Sequence, residues 1–224
     1  MNDKQINHLS KYVSIDWLVG IPNAFDLLLD IIPQLSEEYV LGKLRPHPDL
    51  ILRAFQLTPL SAVSVVLLSR EPYKDGLCNG LAYDCVRGLK VPPSLANILQ
   101  KIQNEYSEEN TYKGVSYLDH LPEQGVLLLN KTLTGSVGES TLNHKTLWEP
   151  FFQALLEGLN KVDNIVWALM GESVHNVGVS NPTHIKLELP NPSPLAGDKF
   201  LNAAEIFKLV NRHLSNLGRK EIQW

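Results

Sequence analysis

Four short apolar runs, rich in branched aliphatic residues, recur along the chain. They span residues 63–68, 125–130, 164–171 and 184–189. The first two are almost continuously apolar, which is typical of strands buried on both faces of a parallel sheet, and the fourth alternates between apolar and polar residues. Segments with helical spacing lie between the runs. We therefore predict one α/β domain over residues 1–224, with a central four-stranded, mainly parallel sheet flanked by helices.

The predicted helices lie before and between these strands. Ile15–Leu41 has apolar residues at helical spacing and is interrupted by two prolines, which indicates two or three short helices. Polar residues 107–114 predict a surface loop. Further helices are predicted at Leu50–Leu57, at Leu95–Tyr106 with Ser94 as the N-cap, at Trp148–Leu159 and at Phe200–Leu217.

Composition favours a globular protein that stays in the cytoplasm. The 224 residues are 44% hydrophobic and carry a net charge of −4, which argues against attachment to nucleic acid through overall basicity but leaves a local patch open. Cys78 and Cys85 lack the spacing of a metal site or a disulfide framework, so we expect reduced thiols and neither a metal nor a cofactor. No apolar run has the length of a membrane span, and the N-terminal residues lack the features of a signal peptide. We expect a monomer that does not bind membranes.

Each predicted strand is followed by a polar or glycine-containing loop. Glu71 comes after the first strand, Asn130 ends the second, Gly171 ends the third and Asn191 follows the fourth. Because the carboxyl ends of parallel strands meet at one edge of a sheet, these residues are expected to face one cleft. Glu71 is the best candidate for an acid or base. Taken alone, Glu71 could equally be a solvated loop carboxylate, and Asn130 could cap a turn.

Six motifs in sequence order resemble those of the family 1 uracil-DNA glycosylases, from about Pro46 to Trp224. Ser69–Lys74, which reads Ser-Arg-Glu-Pro-Tyr-Lys, is similar to the water-activating loop of that family, Gly-Gln-Asp-Pro-Tyr-His. The other five are the stacking segment Gly80–Cys85, the proline-rich loop Pro92–Ile98, the strand Gly125–Asn130 with Leu133 and Thr134 behind it, Asn143–Lys145 with Trp148 and Glu149, and the closing loop Asn191–Leu195.

The resemblance implies an enzyme that flips a nucleotide out of DNA and cuts its glycosidic bond. In that family the residue at Glu71 orients or deprotonates water, and the one at Asn191 stabilises the departing base. Asn130 matches the residue that reads the pyrimidine edge, and Tyr83 matches the ring that stacks on the extruded base. Tyr73 matches the side chain that crowds C5 and excludes thymine.

The resemblance also implies how DNA is held. Leu195 corresponds to the wedge that fills the space left by the flipped nucleotide. Hydroxyls and backbone N–H groups would hold the phosphates, a mode of binding that a mildly acidic protein can use. The residues expected to contact DNA in this way are Pro46, His47, Pro48, Ser94, Gly171, Ser173 and Ser193.

The chain departs from the family pattern inside the pocket itself. Glu71 replaces an Asp, and a displacement of about 1 Å can cost on the order of 10²-fold in rate. Asn191 replaces a His, and loss of a well-aimed donor costs roughly 10²–10³-fold. Arg70 and Lys74 replace Gln and His, and these cations could hold phosphate or contact a substituent on the base. Tyr83 replaces Phe, and Asp84 replaces Ser beside it.

Three hypotheses follow. The first is a DNA glycosylase that releases uracil or a modified phage pyrimidine, such as glucosylated hydroxymethylcytosine in antiviral defence. The second is a glycosylase-derived DNA-binding or replication-partner module without activity. The third is an enzyme that acts on free nucleotides, for which Leu195 would be dispensable. Tyr73 discriminates within the first hypothesis: a ring packed in the pocket favours uracil, and a ring turned away favours a modified base.

Overall fold

A sheet of four parallel strands lies at the centre of the molecule. The structure, a computed structural model, describes residues 2–108, 114–140 and 142–224. Residues 109–113 of the predicted surface loop lie outside these ranges. The described strands are β1 (Leu44–Arg45), β2 (Val65–Ser69), β3 (Val126–Asn130), β4 (Gly135–Ser136), β5 (Val166–Met170) and β6 (Ile185–Leu189).

The strand order of the main sheet is β3-β2-β5-β6, and every neighbouring pair is parallel. Val65 of β2 lies opposite Val126 of β3 and Val166 of β5, and Ser69 lies opposite Asn130. All four predicted strands are confirmed. Strands β1 and β4 form a separate antiparallel pair that was not predicted, because two-residue strands carry no periodic signal.

Burial follows the sequence pattern of each strand. β2, β3 and β5 are buried at every position, whereas β6, at the edge, alternates. The hydrophobic core extends from the sheet into the N-terminal third of the chain, where Phe25 packs edge-to-face on Phe55 and Phe151 at ring-centre distances of 5.5 and 5.6 Å. The N-terminal helices are thus fixed to the sheet layer through aromatic contacts.

Helices surround the sheet. Among the described residues, no helix has the length and apolar character needed to cross a membrane. The helices are α1 (Asp3–Leu9), α2 (Ile15–Gly20), α3 (Pro22–Asp26), α4 (Leu28–Gln34), α5 (Ser36–Val40), α6 (Arg53–Leu57), α7 (Pro93–Tyr106), α8 (His144–Leu159), α9 (Glu172–His175), α10 (Lys199–Asn202) and α11 (Phe207–Asn216).

The N-terminal helical region is more finely divided than predicted. It contains four helices, α2 to α5, instead of two or three. Pro22 occupies the first position of α3, where a missing N–H costs nothing. Pro33 lies inside α4 without ending it at once, so that part of the prediction was wrong; the helix stops one residue later, at Gln34. The helix predicted at Leu50–Leu57 is a 3₁₀ turn followed by the shorter α6.

Two predicted helix starts were also wrong. α7 begins at Pro93 with Pro92 as its N-cap, so Ser94 lies inside the first turn and is not the cap. Proline is well suited to the first turn because its φ is already helical and it needs no backbone partner. α8 begins at His144, four residues before the predicted start, because the side chain of Asn143 accepts a hydrogen bond from the N–H of Thr146.

The single C-terminal helix predicted at Phe200–Leu217 is wrong, since the chain forms α10 and α11 with a break between them. A buried ion pair on α7 explains the break. Lys101 Nζ donates to the carbonyl of Ala203, and the Glu105 carboxylate accepts the N–H groups of Ile206 at 2.8 Å and Lys208 at 2.9 Å. The carbonyl of Ala203 bonds to Lys101 just after α10, and the two N–H groups bonded to Glu105 lie at the start of α11, so the chain is fixed to α7 at the break.

Candidate active site

A cavity of about 610 Å³ opens at the carboxyl edge of the sheet. It lies where the loops after β2, β5 and β6 meet, as expected for a parallel sheet. Helix α7 and the loop that carries Tyr83 complete its wall. Ten of the predicted site residues line it: Arg70, Glu71, Tyr73, Lys74, Tyr83, Ser94, Ser173, Asn191, Ser193 and Leu195.

The loop that carries Glu71 is held by the neighbouring strand. Beyond the end of β2 and β3, the N–H of Lys131 donates to the carbonyl of Ser69 at 2.8 Å, and that of Thr132 donates to the carbonyl of Arg70 at 3.0 Å. These bonds extend the sheet ladder by two residues. The backbone leading to Glu71 is therefore fixed, although its side chain stands at the rim of the cavity.

The Glu71 carboxylate is paired with two cations. Its Oε1 accepts from Arg70 Nη2 at 2.6 Å and lies 3.7 Å from Lys74 Nζ. The side chains of Arg70 and Lys74 are 63% and 71% exposed, whereas that of Glu71 is 31% exposed. Glu71 is thus partly enclosed by the cavity, and both cations lie on its solvent side. An ionised carboxylate in this position can accept a proton from water or stabilise a developing positive charge.

Tyr83 forms the floor of the cavity. The N–H of the preceding residue, Ala82, bonds to the carbonyl of Leu128 in β3, while the Tyr83 hydroxyl donates to the carbonyl of Met170 in β5 at 3.0 Å. The segment is therefore tied to β3 through the backbone of Ala82 and to β5 through the Tyr83 hydroxyl. The backbone φ of Tyr83 is 63°, a conformation that is uncommon for residues other than glycine. Burial raises the pKa of the Tyr83 phenol, so the hydroxyl stays neutral.

Tyr73 is held inside the cavity. Its hydroxyl donates to the backbone carbonyl of Tyr83 at 2.9 Å, which ties the ring to the floor. Burial is the main cause that raises the pKa of the Tyr73 phenol, so this group also remains a donor. The ring is thus packed into the site and not turned away from it.

Asn191 presents an amide with a fixed orientation. Its Oδ1 accepts the N–H of Ser193 at 2.9 Å, which leaves Nδ2 as the donor. The side chain lies against Gly171, where a Cβ would come within 3.0 Å of Nδ2. Asn97 on α7 donates to the carbonyl of Pro192 at 2.8 Å and fixes the loop from the other side. Gly171 does not line the cavity but provides the space for Asn191.

Asn130 ends β3 next to the cavity but does not line its open part. It is 5% exposed, and its Oδ1 is buried without a hydrogen-bond partner among the described residues. Its ladder partner is Ser69, which does line the cavity. An unpaired buried acceptor is costly. A donor on a bound ligand that reaches the end of β3 would satisfy it.

The outer rim combines hydroxyls with one apolar side chain. Ser94 and Ser173 lie in the first turns of α7 and α9, and the Ser193 hydroxyl accepts the N–H of Leu195 at 3.3 Å. Leu195 is 98% exposed on a 3₁₀ turn spanning Pro194–Ala196. An apolar side chain that projects fully into solvent at a cavity mouth is placed to contact a bound molecule.

Other sequence candidates lie elsewhere. Pro46, His47 and Pro48 do not line the main cavity; His47 and Pro48 line a separate one of about 290 Å³. Asp84, expected beside the cleft, is buried under it and accepts from Asn79 Nδ2 at 2.9 Å and from the N–H of Leu118 at 3.2 Å. Burial raises the pKa of the Asp84 carboxyl. Asp84 therefore braces the loop that carries Tyr83.

A buried polar network was missed by sequence reasoning. Glu38 accepts from the Ser136 hydroxyl and lies 2.9 Å from His144 Nε2, while His144 Nδ1 lies 2.8 Å from the Thr134 hydroxyl. Burial opposes ionisation of Glu38, but hydrogen bonds from Ser136 and Ser140 and the charge of His144 hold its pKa below the usual value. The network anchors the segment that follows Asn130. Glu38 lies about a hundred residues before the other members of the network, so no sequence motif joins it to them.

The described residues contain no group of three or more His, Cys, Asp or Glu side chains that could hold a metal ion. The side chains that line the cavity include one carboxylate, two cations, one amide and two tyrosine rings. Such a set, at the carboxyl edge of a parallel sheet, is suited to a planar polar ligand and offers one carboxylate as an acid–base group.

Comparison with known proteins identifies the family. No model of a protein family matches the chain. The uracil-DNA glycosylase of Fusobacterium nucleatum is 33% identical over 218 residues, which cover 95% of this chain and 96% of that protein. The uracil-DNA glycosylase of Geobacillus kaustophilus is 34% identical over 197 residues, with 85% of this chain and 84% of that protein covered.

Solved structures agree in fold. The mimivirus uracil-DNA glycosylase superposes with a TM-score of 0.82 at 20% identity and covers 100% of this chain and 89% of its own. The wild-type UNG of Nitratifractor salsuginis gives a TM-score of 0.69 at 19% identity, with 97% and 98% covered. The chain belongs to the uracil-DNA glycosylase family. It is therefore a DNA glycosylase, a hydrolase of N-glycosyl bonds whose partner is DNA.

Proposed function

We propose that this chain flips a deoxyuridine out of DNA into the cavity at the carboxyl edge of the sheet and hydrolyses its N-glycosidic bond, leaving an abasic site. The names of the relatives support the reaction, and the fixed position of Tyr73 supports the base. All the groups proposed to act on the nucleotide lie on one chain, around or next to one cavity, which is consistent with action as a monomer.

Glu71 is the acid–base group of the proposed reaction. Water attacks C1′ of the sugar and gives up a proton to the carboxylate, while the bond from C1′ to the base breaks and its electrons leave with the base. The negative charge of Glu71 also stabilises the positive charge that develops on the sugar. The hydrogen bond from Arg70 is made to Oε1, which leaves Oε2 as the oxygen proposed for this role.

Asn191 and Asn130 supply the polar contacts to the base. The free Nδ2 of Asn191 would donate to a base oxygen, which becomes more negative as the bond breaks. The Oδ1 of Asn130, which has no hydrogen-bond partner among the described residues, would accept an N–H of the base and so gain the partner that a buried acceptor needs. Tyr83, below the cavity, offers a ring face on which the base stacks.

DNA is held at the rim in the proposed complex. Ser94, Ser173 and Ser193 line the cavity, and their hydroxyls are suited to phosphate oxygens. Leu195 would occupy the space left in the duplex by the flipped nucleotide, and its full exposure supports that role. Pro46–Pro48 lie outside the cavity, so a contact there would be with DNA away from the flipped nucleotide.

Tyr73 decides between uracil and a base with a large 5-substituent. Its hydrogen bond to Tyr83 holds the ring in the cavity, where in the proposed complex it would collide with a substituent on C5 of the base. A modified pyrimidine remains the second candidate because of one observation: a cavity of about 610 Å³, with Arg70 and Lys74 at its rim, lies in the range that holds ligands larger than one pyrimidine.

The test is base release from matched DNAs. One oligonucleotide carries uracil, one carries thymine at the same place, and phage DNA carries glucosylated hydroxymethylcytosine; each is incubated with the wild-type protein and with Glu71→Gln. We expect abasic sites in the uracil DNA alone, and far fewer with the variant. Release from the glucosylated DNA alone would replace uracil with the second candidate. DNA binding with no release from any substrate would overturn the proposal and favour a binding module.

A further inference from the structure

The carboxylate proposed to act on water is paired with two cations in the free protein. Arg70 and Lys74 both reach the same oxygen of Glu71, at 2.6 and 3.7 Å. In the family loop to which this segment is similar, the two positions hold Gln and His. The pairing of Glu71 is therefore a feature of this chain and cannot be taken over from the family pattern.

A paired carboxylate is poorly suited to the proposed step. Two positive charges beside Glu71 oppose the positive charge that develops on the sugar as the glycosidic bond breaks. Within the cavity, which shields the carboxylate more than the cations, this opposition is stronger than in bulk water. The arrangement in the free protein thus lowers the reactivity of the very group that the reaction needs.

The two cations are free to exchange partners. Among the described residues, Glu71 is the only carboxylate paired with either of them. Both side chains are more than 60% exposed, so that neither is held in place by packing. Phosphate oxygens are strong competitors for such groups, since Arg binds phosphate through two parallel hydrogen bonds and Lys binds it as a point charge.

We propose that Arg70 and Lys74 mask Glu71 until the phosphates that flank the flipped nucleotide draw both cations away, so that the carboxylate is released only on DNA. This inference rests on the proposed function, which it deepens. Arg70 and Lys74 act here as positioning residues through Glu71. The flanking phosphate charges then contribute to the rate of bond cleavage as well as to affinity.

The expected effect is modest because the pairs are exposed. An ion pair of this kind shifts an equilibrium by about 1.4-fold to 5-fold. Arg70, at direct hydrogen-bond distance, should account for most of it, and Lys74, at 3.7 Å, for less. Together we expect a change of about 5-fold in the saturated rate.

The experiment removes the negative charge of the linkages beside the deoxyuridine but keeps the DNA backbone intact. Single-turnover release of uracil is measured at saturating enzyme, with ordinary linkages or with uncharged methylphosphonates on both sides of the deoxyuridine. The proteins are the wild type, Arg70→Gln/Lys74→Gln, and Arg212→Gln, which removes a paired, exposed arginine on α11 away from the cavity. Because all the DNA is bound at saturating enzyme, a weaker affinity for DNA does not lower this rate, whereas a Glu71 carboxylate still paired with Arg70 and Lys74 does.

For the wild type and Arg212→Gln, we expect the neutral linkages to lower the saturated rate about 5-fold. For the double variant, we expect little change between the two DNAs, because nothing masks its Glu71. An equal loss of rate in all three proteins would overturn the inference while leaving the proposed function intact. No uracil release from ordinary DNA would count against the proposed function instead.

A second readout needs no base release. The NMR signal of the Arg70 Nε–H group is followed in Glu71→Gln and in the wild type as DNA with either linkage is added. We expect ordinary DNA to shift the wild-type signal and neutral-linkage DNA to leave it near its free position. An Arg70 signal that responds equally to both DNAs, or to neither, contradicts the exchange of partners.

Discussion

The hydroxyl of Tyr73 donates to the backbone carbonyl of Tyr83 at 2.9 Å, so one hydrogen bond fixes the position of one ring relative to the other. The Tyr83 hydroxyl in turn donates to the carbonyl of Met170 at the end of β5. The wall and the floor of the cavity are thereby connected to the central sheet. The space for a base is set by these bonds as well as by the size of the rings.

Tyr73→Phe tests whether this bond controls base choice. The ring is kept but loses its link to Tyr83, and a hydrogen bond of this kind contributes about 0.5–1.5 kcal/mol. We expect the ratio of the uracil rate to the rate for 5-methylated uracil, which is thymine, to fall about 2-fold to 10-fold. The measurement is kcat/KM on two oligonucleotides that differ only at this base. An unchanged ratio would mean that ring bulk alone sets the choice.

Gly171→Ala tests the support for Asn191. Gly171 has a φ of 100°, and a Cβ there would lie 3.0 Å from Asn191 Nδ2. We expect a loss of uracil release of 10-fold or more, on the order of what a small misplacement costs. Gly218→Ala is the control, because Gly218 also has a positive φ, of 67°, but its Cβ would meet nothing within 4 Å. Equal losses in both variants would assign the effect to backbone strain.

Asn191→Asp tests the donor role of the amide. The substituted side chain still offers an oxygen to the N–H of Ser193, so the turn is kept, but Nδ2 is replaced by an acceptor. We expect the single-turnover rate to fall about 10²–10³-fold, as for the loss of a donor to a developing negative charge. Thermal unfolding of the variant should stay close to that of the wild type. A rate within a few-fold of the wild type would remove Asn191 from the reaction.

His184 predicts a pH dependence of stability that is separate from activity. Its Nδ1 accepts from the indole N–H of Trp167 at 3.1 Å, and its Nε2 donates to the carbonyl of Val162 at 2.6 Å. Burial lowers the pKa of His184, so the imidazole is neutral in the folded protein. Below about pH 6.5 the unfolded chain binds a proton that the folded chain does not. The free energy of unfolding should therefore fall as the pH drops, by up to about 1.4 kcal/mol per pH unit.

The matched variant is His184→Gln, which cannot titrate. Urea unfolding at pH 7.5, 6.0 and 5.0 gives the difference in free energy of unfolding between the two proteins. We expect this difference to shrink steadily towards pH 5, since only the wild type loses stability through this group. A difference that stays constant over the three pH values would show that His184 binds its proton equally in both states.

The strands and the site edge could be predicted because their signals are local. Residues 125–130 are a continuous apolar run that ends in an amide, and the structure has Val126–Asn130 as β3. Glu71 and Asn191 were identified from their positions just after strands, Tyr73 was identified from the family resemblance, and all three line one cavity. Parallel strands place their ends together whatever the details of packing, so the sequence order was sufficient.

The features that escaped prediction depend on contacts between distant segments. The break before Phe207 is fixed by Lys101 and Glu105, about a hundred residues away, which bond to peptide groups on either side of it. The pairing of Glu38 with His144 likewise joins segments that no pattern connects. Helical spacing reports only local preference, and such contacts override it.

The most direct test of the account is the single-turnover rate of uracil release by Glu71→Gln relative to the wild type, measured on the same uracil-containing oligonucleotide. The amide keeps the shape and can still accept from Arg70, but it can neither take a proton nor carry negative charge. We predict a rate at least about 10²-fold lower, with DNA affinity nearly unchanged. A Glu71→Gln rate equal to that of the wild type would contradict the assignment of Glu71 as the catalytic carboxylate.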